Sequence, residues 1–268
     1  MPVQKIRGLS LDYDDQGTGT AIVFVHGHPF NRSMWKYQAE AFSKTYRLLM
    51  PDLRGYGETG TAPSSAPYRT LLDEMALDII HLLDELEIDQ AICCGLSMGG
   101  QIVLDLYRLF PSRVKAIVIA DSDARGESID SYQRRLLLAD TIIKDGMKKH
   151  TDDTIHQYIA EQSLSNKAMY DHLYEMMSST RPEGAAAAHR GRAERRDHTG
   201  LLPKIKVPAL IVVGEEDYFT PIPVAKIMSD AIPGAELAVI KGTGHLPNME
   251  APEDFNAAFL SFLQANNL

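Results

Sequence analysis

The stretch Ala91-Ile92-Cys93-Cys94-Gly95-Leu96-Ser97-Met98-Gly99-Gly100 opens as an apolar run and changes abruptly into a glycine-rich turn with a serine at its centre. Ile102, Val103, Leu106 and Leu109 then recur at helical spacing. The order is strand, tight turn, helix. A G-x-S-x-G sequence in that setting makes a sharp, strained bend, and small neighbours such as Gly95 and Gly99 leave room for it. The bend lifts the Ser97 hydroxyl above the sheet edge, at the start of the next helix. Free backbone N–H groups and the helix dipole favour developing negative charge there.

The chain has 268 residues, 44% of them hydrophobic and 24% charged, which is enough for a large core. One α/β domain with an insertion is expected rather than two domains. A net charge of −9 argues against a nucleic-acid partner, since no positive field would hold phosphates. No apolar run reaches the length of a membrane span, and the N-terminus lacks the apolar core of a signal peptide. No membrane association and a cytoplasmic location are therefore expected. Cys93 and Cys94, the only cysteines, are adjacent within a buried strand and point to opposite faces, which does not suit an ordinary disulfide. They read as small core hydrophobes in a reducing compartment. No Cys/His cluster has zinc spacing, so neither a metal nor a cofactor is expected.

Upstream of the serine turn, residues 3 to 14 fit two short strands, and Ala21 to Val25 is a continuous apolar run ending in His26-Gly27-His28-Pro29. Such a run fits a parallel strand covered on both faces. Trp35 to Phe42 has helical spacing, with Ser33 as the expected N-cap. Tyr46 to Met50 reads as a strand leading into Pro51-Asp52-Leu53-Arg54-Gly55-Tyr56-Gly57, and residues 59 to 67 as a loop. Thr70 to Leu86 carries Leu71, Met75, Ile79, Leu82, Leu83 and Leu86 along one helical face. Downstream, strands are expected over Val114 to Ala120, Val207 to Val213 and Glu236 to Ile240, and helices over Ile222 to Ala231 and Pro252 to Leu263. Strands alternating with helices imply a mostly parallel, doubly wound sheet of about eight strands.

Between Asp121 and Gly200 the strand-like runs disappear. Leu136, Leu137, Ile142 and Ile143 fit one helix, Ile155, Tyr158 and Ile159 a second, and Met169, Leu173, Met176 and Met177 a third. Residues 183 to 197 form a fourth helical stretch. This region reads as a helical cap over 122–200, inserted between core segments 1–121 and 201–268. Its Met, Leu and Tyr side chains imply a mainly apolar pocket, with Met176 and Met177 as candidate substrate contacts. The basic residues Arg190, Arg192, Arg195 and Arg196 read as a solvated face balanced by Glu183, Glu194 and Asp197.

A serine is a weak nucleophile until a base takes its proton. His245 is the candidate base, in a Gly-x-Gly-His loop after the last strand. Asp217 is the candidate acid, at the end of an apolar strand and just ahead of Thr220-Pro221, which suits the start of the next helix. It would orient the imidazole and stabilise the imidazolium. Asp121 and Asp123, after the strand 114 to 120, compete for that role. An oxyanion needs two preorganised N–H donors, and the backbone N–H groups of Met98 and His28 are the candidates. The His28 side chain faces the pocket in one reading and is incidental in the other.

HGHP, PDLRGYGET, GLSMGG, GEEDYFTP and GTGHLPNMEAPEDF, in this order and at this spacing, resemble the α/β-hydrolase family over nearly the whole chain. The order Ser97, Asp217, His245 is that of the fold's triad. In the family's GEED-like motif the acid is the last residue, which matches Asp217. The stretch from Arg181 to Pro221 most resembles 3-oxoadipate enol-lactonase-like and carboxylesterase-like members. The resemblance implies a cofactor-free serine hydrolase of small carboxylic esters or lactones. The alternatives it leaves are C–C bond hydrolysis or perhydrolysis on the same triad, and a ligand-binding relative with little turnover. Members with an aspartate nucleophile are disfavoured by Ser97.

Overall fold

A computed structural model describes residues 2–60 and 69–268. The loop expected over 59 to 67 lies outside the described residues from position 61 onward. The strands are β1 Val3–Ile6, β2 Leu9–Gln16, β3 Ala21–Val25, β4 Arg47–Pro51, β5 Ala91–Leu96, β6 Val114–Ala120, β7 Ala209–Gly214 and β8 Glu236–Ile240. They form one eight-stranded sheet in the order β1-β2-β4-β3-β5-β6-β7-β8. The β1–β2 and β2–β4 pairs are antiparallel, and every other pair is parallel. β3, β5 and β7 are buried along their whole length, as continuous apolar runs in a covered parallel sheet should be.

The helices are α1 Lys36–Phe42, α2 Leu72–Glu85, α3 Met98–Leu109, α4 Ile129–Thr154, α5 Lys167–Ser178, α6 Pro182–Ala193, α7 Ile222–Ala231, α8 Pro247–Glu250 and α9 Pro252–Ala265. Val23, Val25 and Cys93 join α2, α3 and α7 in a core on one face of the sheet. Ile22, Phe24 and Cys94 join α1, α5 and α9 in a core on the other. Period-two alternation thus divides the adjacent cysteines between faces, and both remain free thiols.

Local chemistry accounts for the element ends. Asn31, rather than the expected Ser33, caps the 3₁₀ turn Arg32–Trp35 that leads into α1, and its side chain accepts from Ser33 N at 2.9 Å. Either residue type can cap, and the chain turns two residues earlier than the apolar spacing indicates. In the apolar stripe of α2, Asp78 is buried and takes both Nε and Nη2 of Arg54 at 2.6 Å. That pair anchors the loop after β4 to α2.

The segment between β6 and β7 is helical, as its composition indicates, with two differences. Ile155, Tyr158 and Ile159 belong to a short 3₁₀ turn and the loop beyond it, not to a second helix. Within α4, Ile142 is buried but Leu137 and Ile143 are exposed. α4 is broken at Gly146, whose φ is +82°. Ala139, Ile142 and Met147 of α4 pack on Ala185 and Ala186 of α6. α6 in turn lies directly on core backbone. A Cβ at Gly184 would stand 2.0 Å from the Gly55 carbonyl oxygen, and one at Gly191 1.6 Å from that of Thr70. Both glycines interrupt an alanine-rich helix because no side chain fits there.

Candidate active site

β3 leads into β4 on one side of itself, while β5 lies on its other side and leads on to β6. The reversal opens a crevice at the C-terminal ends of β3 and β5, where open α/β sheets bind ligands. His28 follows β3 and Ser97 follows β5.

Ser97 has φ +56° and ψ −116°, a strained conformation for a non-glycine residue. Close packing holds it there. A Cβ at Gly95 would lie 2.3 Å from the Gly99 carbonyl oxygen, and a Cβ at Gly99 2.0 Å from that of Val25. Ser97 N donates to Ala120 O at 2.9 Å, and Ser122 Oγ donates to Ser97 O at 2.7 Å. The helix α3 begins at Met98, so its N–H is one of the first-turn donors that have no intrahelical acceptor.

His245 lies in the loop after β8. Its Nδ1 is 2.9 Å from both carboxylate oxygens of Asp217. Phe219 N donates to Asp217 Oδ1 at 2.8 Å, and Thr220 Oγ1 donates to Oδ2. Burial acts to raise the Asp217 carboxyl, but the His245 charge and these hydrogen bonds outweigh it and bring the group down to about 2. The imidazole is flanked by Phe219 and Tyr158, with ring centroids 4.9 and 5.9 Å away.

Asp121 stands beside this pair. Its φ is +46°, and its Oδ1 accepts from Gly214 N at 2.8 Å. Burial and the neighbouring Asp217 charge push its carboxyl well above the usual range. The two adjacent carboxyls are therefore driven in opposite directions, Asp217 toward its charged form and Asp121 toward its neutral form. Asp123, the other competitor, bonds Arg125 instead, through Nη2 at 2.7 Å. Among the described residues, Asp121, Asp217 and His245 are the one group whose ligating atoms lie within 4.8 Å of one another. A metal there would have to displace the Asp217–His245 hydrogen bond.

Glu250 was not singled out from the sequence, yet it organises the His245 loop. Its Oε1 accepts from Gly244 N at 2.9 Å and Leu246 N at 3.2 Å. Its Oε2 accepts from Ala160 N at 2.8 Å and Ser163 Oγ at 2.7 Å. One carboxylate thus ties the histidine loop to the helical insertion. Its only signal was a glutamate five residues after the histidine, beyond Leu246-Pro247-Asn248-Met249. In the first loop, His26 Nε2 accepts from Leu53 N at 2.9 Å, and burial holds its imidazole down at about 4.

Ser97 and His245 open on a cavity of about 260 Å³. From the insertion it takes Arg135, Leu138, His150, Thr154, Gln157, Tyr158, His189, Arg192 and Arg195. Arginine and histidine side chains stand in this lining beside the apolar surface that was expected. Met176 and Met177 are buried with Phe30, Trp35 and Leu173 and are not among the cavity's lining residues. The His28 ring does face the cavity, with Nδ1 2.7 Å from the Tyr56 hydroxyl. The basic cluster divides. Arg190 pairs with Asp140 and Arg196 with Asp73 toward the outside, whereas Arg192 and Arg195 turn inward. Glu194, their expected counter-charge, is taken by Arg69. His189 and Arg192 are one turn apart on the face of α6 that also buries Ala185 and Ala188. That shared face was the available signal.

A mostly parallel sheet with a strained serine turn, an Asp–His pair and a helical insertion defines an α/β-hydrolase architecture. Residues 20–252 match the family model described as alpha/beta hydrolase fold, and the chain belongs to that family. It is 26% identical to 3-oxoadipate enol-lactonase 2 of Acinetobacter baylyi, across 97% of this chain and 96% of that protein. Among solved structures, a thermophilic esterase from Thermogutta terrifontis with malate bound is 32% identical, with a TM-score of 0.95 and 100% of both chains covered. The enol-lactonase from Burkholderia xenovorans is 26% identical, with a TM-score of 0.89, covering 98% of this chain and 100% of that one. No helix among the described residues is long and apolar enough to cross a membrane.

Proposed function

We propose that the protein hydrolyses carboxylic esters or lactones through an acyl-enzyme on Ser97. The observation that carries this reading is the contact of His245 Nδ1 with both oxygens of Asp217, with His245 lining the same cavity as Ser97. With Nδ1 engaged, Nε2 is left to take the serine proton. Ser97 Oγ attacks the carbonyl carbon as its proton passes to His245, and the N–H groups of Met98 and His28 receive the oxyanion. The acyl C–O bond then breaks, and His245 returns the proton to the leaving oxygen. In a lactone that oxygen stays tethered to the acyl group. Water repeats the sequence, giving its proton to His245 and its hydroxide to the acyl carbon, which frees Ser97. In this reading residues 122–200 act as a cap over a core made of 1–121 and 201–268. Esterase and lactonase relatives support the substrate class.

The test is a panel of p-nitrophenyl esters and small lactones with wild type and Ser97→Ala. Hydrolysis that falls by several orders of magnitude in a folded variant, with a fluorophosphonate adduct on Ser97 of the wild type, is the expected result. A folded Ser97→Ala variant with near-wild-type rates would rule the mechanism out.

A further inference from the structure

Three guanidinium groups, Arg135, Arg192 and Arg195, line the cavity beside Ser97. One carboxylate, Glu127, serves two of them: Arg135 Nε reaches Glu127 Oε1 at 2.6 Å and Arg195 Nη1 reaches it at 3.2 Å. Arg192 is nine-tenths buried, at 9% exposure. Its Nε has no hydrogen-bond partner, and among the described residues no carboxylate forms an ion pair with it. Burial and the positive charges of Arg135 and Arg195 both work against its own charge.

A buried charge without a partner is costly, and it persists where a ligand supplies the counter-charge. The surrounding polar atoms are also unspent. His28 Nε2, His150 Nε2 and both ring nitrogens of His189 are buried without partners, and the His28 and His189 rings lie 4.2 Å apart. Burial and the nearby arginines both push these imidazoles toward the neutral form. They offer hydrogen bonds without adding charge. Of the carboxyls that also line the cavity, Asp123 is paired with Arg125 and Asp121 is pushed toward its neutral form. Arg192 thus keeps its charge without a partner there, among uncommitted hydrogen-bonding groups and in the cavity that Ser97 lines.

We propose that the substrate carries a carboxylate besides its scissile ester or lactone group, and that Arg192, flanked by Arg195 and His189, holds this carboxylate while the carbonyl rests at Ser97. The planar fork of a guanidinium matches a planar carboxylate in two parallel hydrogen bonds. This inference rests on the hydrolase reading for the fate of the substrate, but not for the binding of the anion.

The experiment separates the two. Wild type and Arg192→Met are assayed on p-nitrophenyl hydrogen succinate and on its neutral methyl ester. In parallel, melting temperatures of wild type, Arg192→Met and Arg195→Gln are taken in succinate, in inorganic phosphate and in sodium chloride of equal ionic strength. The expected result is a kcat/KM about 10- to 100-fold higher for the carboxylate ester in wild type, the size of a charge-assisted pair. That ratio falls toward one in Arg192→Met. Succinate raises the melting temperature of wild type more than either control salt does, and loses this advantage in both variants. If neither ester is cleaved but succinate still stabilises wild type selectively, the hydrolase reading fails and the carboxylate site stands. If both esters are cleaved equally and succinate does no more than chloride, the site is refuted and the hydrolase reading stands. Stronger stabilisation by phosphate than by succinate overturns the assignment to a carboxylate. The wild-type comparisons decide the matter even if a variant does not fold.

Discussion

Asp121 and Asp217 are neighbouring buried carboxyls at the ends of β6 and β7, and only Asp217 is hydrogen-bonded to the imidazole of His245. The positions are close enough for either residue to have been the acid. The environments decide between them, because Asp217 gathers hydrogen-bond donors and Asp121 gathers the repulsion of Asp217.

Asp217→Asn should lower kcat on p-nitrophenyl acetate by about three to four orders of magnitude with little change in KM, since the imidazole loses its orienting charge. Asp121→Asn should stay within about threefold of wild type, because it replaces one neutral group with another. A larger loss from the Asp121 variant would transfer the acid role to β6.

The same pair makes opposite contributions to stability against pH. The Asp217 carboxyl is lowered from 3.8 to about 2 in the fold, so its contribution is present above about pH 4 and is lost as pH falls through 2. The Asp121 carboxyl is raised, so the folded chain keeps a proton that the unfolded chain releases near 3.8, and stability declines as pH rises from there. Asp121→Asn should therefore melt higher than wild type at neutral pH, with the advantage shrinking toward pH 4. Melting curves across that range provide the measurement. A gain that is equal at every pH would mean Asp121 does not hold a proton.

Glu250→Gln should reduce kcat more than it changes KM, and should lower the melting temperature by several degrees. The carboxylate accepts four hydrogen bonds from the His245 loop and the insertion, and an amide nitrogen cannot accept any of them. Loss of acceptors for these part-buried donors costs about 1–3 kcal/mol. An unchanged kcat in a destabilised protein would mean that Glu250 is structural only.

Met177→Ala should cost about 2–5 kcal/mol of stability and leave the ratio of rates between esters unaltered, because Met177 is a core side chain away from the cavity. Denaturant titration and a substrate panel test both halves. A change in preference without loss of stability would return it to the substrate contacts.

Most of the frame was legible in the sequence because it obeys local rules. The apolar runs that became β3, β5 and β7 are buried on both faces, and the glycines around Ser97 mark a bend with no room for a Cβ. Asp217 and His245 could be named because each follows a strand at the edge where ligands bind. The pocket was not legible, and the reason is tertiary. Charge balance counted along the chain assigned Glu194 to the arginines near it, whereas folding gives Glu194 to Arg69 and turns Arg192 inward. Met176 looked like a ligand contact because the region around it is rich in Met, Leu and Tyr, but α5 buries Met176 and Met177 in the core cluster that includes Phe30 and Trp35. The break at Gly146 is likewise set by the left-handed φ of one residue, which apolar periodicity does not register.

The seating of α6 on bare backbone at Gly184 and Gly191 has a further meaning. Those contacts bring the main chain of α6 against core backbone at two points, with no side chain between them. Positions 189 and 192 therefore behave like sockets on a rigid mount. Exchanging their side chains should rewrite which molecules the protein accepts while the mount stays in place. Moving the mount itself, as Gly191→Ala would force, should damage every preference at once.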